Sequence, residues 1–126
     1  MSTILVIDDE KMTVKMLQMA LEAYGHHVEV AANGEEGIKK FNAARFDLVI
    51  TDMMMPGLDG KGVVRYIRQS PRNRTPVIGI SGTPWLLEGV DVDSILPKPF
   101  SIAALVQSIQ ELASLKASQG VRSAPF

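Results

Sequence analysis

Five side chains able to do chemistry stand at the ends of short apolar runs in this chain. Asp8 and Asp9 follow "TILVI" (Thr3–Ile7), Asp52 follows "DLVIT" (Asp47–Thr51), Ser81 closes "PVIGIS" (Pro76–Ser81) and Lys98 follows "SILP" (Ser94–Pro97). Adjacent carboxylates repel, and drawing them out of water is costly unless something positive sits among them. Either they are simply solvated at strand ends, or they gather a cation. Three carboxylates with no histidine or thiol beside them suit a hard, oxygen-loving ion. Mg²⁺ fits best, because it accepts few protein ligands and keeps waters. Its open positions can take phosphoryl oxygens, Ser81 can donate a hydrogen bond to one, and Lys98 offers a compact positive charge to another. A carboxylate not consumed by the metal can then attack phosphorus, giving an aspartyl phosphate.

Such a set works only if the fold brings the run ends together. Thr3–Ile7 is nearly all apolar and β-branched, as a strand buried on both faces requires. Lys11–Tyr24 reads as a helix with Val14, Leu17, Leu21 and Tyr24 at spacings of three and four, ended by Gly25. "HVEVA" (His27–Ala31) alternates like a strand, so His26 and His27 only mark its start. Asn33 and Glu36 have the spacing of a capping pair for a second helix that buries Ile38 and Phe41. Asp47–Thr51 is a third strand, followed by the loop Asp52–Gly60. Lys61–Gln69 is a helix with Val63, Val64 and Ile67 inward. Pro76–Ser81 and Ser94–Pro97 are the last strands, and Ser101–Lys116 is the last helix, with Ala104, Leu105, Ile109 and Leu112 on one side. Alternating strands and helices predict an α/β fold, a doubly wound five-stranded parallel sheet whose ligands bind beyond the strands' carboxyl ends. All five polar residues fall at that edge.

Composition narrows the rest. The chain has 126 residues, 46% of them hydrophobic and 21% charged, with net charge −1 and no cysteine. That suits one domain, expected over residues 2–116, with a flexible tail at 117–126. It excludes disulfides and thiol chemistry and gives no charge-driven reason for nucleic-acid or membrane binding. No signal-peptide pattern or membrane-length apolar run occurs, so a cytoplasmic location is expected. Glu10 and Asp59 read as surface or turn acids, and Met53–Met55 as core or loop packing.

The four motifs together resemble the receiver domain of two-component response regulators, the chemotaxis-regulator-like family. "VIDDE" is similar to the family's acidic-pair motif, "DLVITDMMMPGLDG" to its phosphoacceptor loop, and "PVIGISG" and "LPKPF" to its hydroxyl and lysine motifs, in order and across nearly the whole chain. The resemblance implies a flavodoxin-like (βα)5 fold, with Asp52 as phosphoacceptor. It implies Asp8 and Asp9 as the metal-binding pair (Asp9 direct, Asp8 through water), the Met54 backbone carbonyl as a further metal ligand, Ser81 as switch hydroxyl and Lys98 as phosphate contact, before a cis Lys98–Pro99 bond. It further implies Mg²⁺ as cofactor, a sensor histidine kinase or histidine phosphotransfer protein as donor and an unidentified downstream protein as target; from the charge balance and the lack of a membrane-length run, no direct nucleic-acid or membrane contact is expected. A stand-alone switch that modifies only itself is the expected function.

The chain departs from the family between Ser81 and Lys98. "GTPWLLEGVDVDSILP" is too short for a full fourth helix, so one turn from Pro84 is predicted, with Trp85 packing over the gap. Ile95 stands where the family has an aromatic residue coupled to the hydroxyl. Met54 and Thr83 stand where the family tunes phosphoryl hydrolysis, and an apolar Met54 cannot orient an attacking water. Two alternatives remain: an interaction module independent of phosphorylation, favoured by the altered switch region, and a Mg²⁺-dependent phosphohydrolase, which needs a second acid where Met53 and Met54 stand.

Overall fold

Strand β1 (Thr3–Ile7) is buried from Ile4 onward, which explains its unbroken apolar sequence. The computed structural model describes residues 2–123, and side chains through Leu115. In chain order, β1 is followed by α1 (Lys11–Ala23), β2 (His27–Ala31), α2 (Gly34–Ala43), β3 (Leu48–Asp52), α3 (Gly60–Gln69), β4 (Val77–Ser81), a 3-10 turn (Pro84–Leu87), β5 (Ser94–Pro97) and α4 (Ile102–Ser123). All five strands are parallel, in the order β2-β1-β3-β4-β5. This is the flavodoxin-like doubly wound order, whose direction reverses between β1 and β3.

Strand alternation sends side chains to two cores. Leu5, Ile7, Val49 and Val77 pack with Phe41 of α2 and with Val63, Val64 and Ile67 of α3. Ile4, Val6, Ile50, Ile78 and Ile80 pack with Leu17 and Leu21 of α1 and Leu105 of α4. Each face of the sheet is thus covered by two helices, and neither sheet face is left to water. Asn33 caps α2 by accepting a hydrogen bond from Glu36 N at 2.8 Å, and Asp59 caps α3 by accepting from Gly62 N at 3.0 Å. Asp59 therefore does more than fill a turn: it satisfies an otherwise orphaned helix donor.

Two expectations need correction. Tyr24 lies past the end of α1 and is 58% exposed, because the helix stops at Ala23 and Tyr24 N turns to the carbonyl of Leu21. Trp85 does not pack over the gap; it is 71% exposed, while Leu87 two residues on fills the core in its place. The backbone of α4 continues past Lys116 to Ser123, into the expected tail. The remainder of that tail, 124–126, lies outside the described residues, as do the side chains of 116–123. The predicted shortening of the fourth helical unit is present as the 3-10 turn, after which the chain runs extended into β5.

Candidate functional site

Parallel register builds the site. Ile7 pairs with both Ala31 and Thr51, so Asp8 and Asp52 emerge side by side from neighbouring central strands. Ladder bonds continue past the strand ends. Asp8 N donates to Ala31 O at 3.1 Å, Met53 N to Ile80 O at 3.0 Å, and Lys98 N to Ser81 O at 2.8 Å. Asp8, Ser81 and Lys98 are therefore fixed by their own backbones, and Asp52 by that of the next residue. Oxygens of Asp8, Asp9 and Asp52 lie within 4.8 Å of one another. Lys98 Nζ is 3.4 Å from Asp52 Oδ2, and Met54 N donates to Asp52 Oδ1 at 3.2 Å. All five residues expected from the sequence thus lie at one edge of the sheet.

Burial separates the three acids. Asp8 and Asp52 are buried and Asp9 is exposed. Asp8 Oδ1 accepts from Glu10 N at 2.9 Å, but its Oδ2 is buried with no hydrogen-bond partner. Burial pushes the Asp8 carboxyl up from 3.8 to about 6; the Glu10 N–H opposes the rise, the Asp52 charge adds to it, Lys98 opposes it and Asp9 adds to it. A buried, unsatisfied carboxylate oxygen facing two other carboxylates is a donor set for a hard divalent cation. The residues present therefore fit Mg²⁺, with Asp8, Asp9 and Asp52 as its carboxylate donors.

Ser81 is buried, and its Oγ accepts from Thr83 N at 2.9 Å. A hydroxyl used as acceptor keeps its own proton to donate. The methionine triplet divides: Met53 and Met55 are buried in the core, and Met54 is 69% exposed. The packing reading holds for the first two only.

Sequence alone did not single out three supporting residues. Glu35, at the start of α2, accepts from Leu58 N at 2.8 Å and so holds the loop after Asp52. Gly60 lies so close to that loop that a Cβ would come within 2.6 Å of Asp52 O and Met53 Cα, while Met53 Sδ sits 2.9 Å from where a Cβ on Gly79 would be. Arg68, at the end of α3, donates to Asp91 O, Asn73 O and Thr75 O and pairs with Asp93 at 2.7 Å. The acidic "VDVD" run after a helix ending in arginine was the available signal for that last clamp.

Residues 4–110 match the family model described as "Response regulator receiver domain". A probable transcriptional regulator (ycf27) from Cyanidium caldarium is 34% identical, over 98% of this chain and 51% of its own length. A response regulator receiver domain protein from Clostridium thermocellum superposes with a TM-score of 0.85 at 30% identity, covering 94% of this chain and 99% of that one. Response regulator TrrA from Thermotoga maritima, solved in complex with Mg²⁺ and BeF, superposes with a TM-score of 0.81 at 31% identity, covering 89% and 99%. The chain belongs to the response regulator receiver domain family. It spans about half the length of the first curated relatives it matches, which are named as transcriptional regulators. Among the described residues, no helix is long and apolar enough to cross a membrane.

Proposed function

We propose that this receiver domain accepts a phosphoryl group on Asp52 from a phosphohistidine of a sensor histidine kinase or histidine phosphotransfer protein, in a Mg²⁺-dependent reaction in the cytoplasm, and thereby biases a partner interaction. The observation that carries this reading is the grouping of Asp8, Asp9 and Asp52 oxygens within 4.8 Å, with the Lys98 ammonium 3.4 Å from Asp52. A carboxylate oxygen of Asp52 attacks phosphorus, the P–N bond breaks, and its electron pair leaves with the imidazole. Asp8, Asp9, Asp52 and the Met54 carbonyl would hold Mg²⁺, which supplies charge neutralisation at the transferring phosphoryl group. Lys98 presents a second positive charge to the incoming oxygens. Ser81 Oγ, still carrying its proton, donates to one of them once it turns from Thr83. Ile95 is half-buried against the core and has no polar group, so the shift of Ser81 is relayed by packing rather than by a ring hydroxyl.

Intact-mass spectrometry with acetyl phosphate tests the proposal. Wild type with Mg²⁺ gains one phosphoryl mass; wild type in chelator and Asp52→Asn with Mg²⁺ do not. Equal gain by Asp52→Asn overturns the assignment.

A further inference from the structure

A 3-10 turn rather than a helix follows β4, and α3 has an open flank beside the segment after that turn. Between α3 and the Gly89–Asp91 segment lies a groove of about 280 Å³. Half-buried Val90 gives it an apolar base, beneath which Val64 is packed into the core. Lys61 and Arg65 line it, and both are exposed. Among the described residues, neither has a carboxylate within ion-pair distance. The acid in the groove, Asp91, lies 3.5 Å from Arg68. Arg68 also fixes the far wall through Asp91 O, at 3.0 Å, and through the Asp93 carboxylate. The groove is thus held open by hydrogen bonds, with two uncompensated positive charges on one side.

We propose that this groove docks an acidic amphipathic helix of a partner protein. Lys61 and Arg65 are four residues apart on α3, one turn and about 6 Å along its axis. Carboxylates four residues apart on a second helix have the same spacing. Apolar side chains between them would pack on Val90 and on the aliphatic stems of Lys61 and Arg65. Just upstream of the far wall, Trp85 and Leu86 are 71% and 56% exposed. These are residue types that anchor interfaces when they are covered by a partner. The same segment is joined through Thr83 to Ser81, so occupancy of the groove and the state of the acidic site bear on one short stretch of chain. The docking itself does not depend on phosphorylation of Asp52, and its test is independent of that reading.

The probe is a synthetic helical peptide with leucines at spacings of three and four flanked by glutamates. Its control is the same peptide with lysines for the glutamates. Titration calorimetry supplies the affinity. The glutamate peptide binds, and the lysine peptide does not. In Lys61→Gln/Arg65→Gln the affinity falls by about tenfold, as expected for two lost, partly exposed ion pairs, while acetyl phosphate uptake is unchanged. Equal binding of both peptides, an unaltered affinity in the double variant, or no binding at millimolar peptide overturns the proposal.

Discussion

Asp8→Asn should make the metal-free domain more stable at neutral pH while abolishing its response to Mg²⁺. The wild-type carboxyl is raised by burial from 3.8 to about 6. Its folded pKa lies above its unfolded one, so the native state holds the extra proton between those values. Wild-type stability therefore falls as pH rises from about 4 to about 6, then levels off. At about 1.4 kcal/mol per pKa unit the full penalty is about 3 kcal/mol. Asparagine keeps the oxygen that accepts from Glu10 N but leaves an amide where Oδ2 has no partner, which returns about 1 kcal/mol. The variant should then exceed wild type by about 2 kcal/mol at pH 8, or about 1 M in urea midpoint for an m-value of about 2 kcal/mol/M. The gap should close at about pH 4.5 and reverse below it. Urea melts across that range in chelator measure it directly, since the other titrating groups are common to both proteins. Adding Mg²⁺ at ten times its Kd should raise wild type by about 1.4 kcal/mol and the variant by far less. Parallel pH curves, or an equal response to Mg²⁺, would refute the reasoning.

Three further outcomes are expected. Lys98→Ala removes the ammonium that pairs with Asp52 Oδ2 and should slow uptake from acetyl phosphate by about a hundredfold, read by intact mass over time. Arg68→Ala removes hydrogen bonds to three carbonyls and the Asp93 pair; it should cost about 2–4 kcal/mol in urea melts, and Arg68→Lys should recover little because the planar fork is lost. Gly60→Ala places a methyl against the Asp52 carbonyl and the Met53 backbone, so it should cost about 1–3 kcal/mol and weaken Mg²⁺ binding by calorimetry.

The acidic edge was legible in the sequence because polar residues that abruptly end apolar runs fall at the carboxyl ends of the strands in a parallel sheet. Asp8, Asp52, Ser81 and Lys98 were therefore placed without any distance. Trp85 was misread because its own composition suggests burial; only the geometry of the 3-10 turn shows that Leu87, not the indole, turns inward. Glu35 and Gly60 were missed because their roles are contacts across 23 residues to Leu58 and across the loop to Asp52. No local pattern encodes such contacts. Asp59 was half-read: Asp-Gly is a turn signal, but it equally begins a helix, and the following apolar spacing decides between them.

Met53 carries a consequence of a different kind. Its sulfur occupies the volume that side chains on Gly60 and Gly79 would need, so positions 53 and 79 form one steric variable shared by a loop and a strand. Enlarging Gly79 demands a smaller residue at 53, and shrinking 53 alone leaves a void beneath Asp52, whereas Gly60 also abuts the Asp52 carbonyl and the Met53 backbone and gains nothing from that exchange. Tolerated replacements at 53 and 79 should thus come as compensating pairs, and a library that varies the two together should recover folded members that single-site scanning discards.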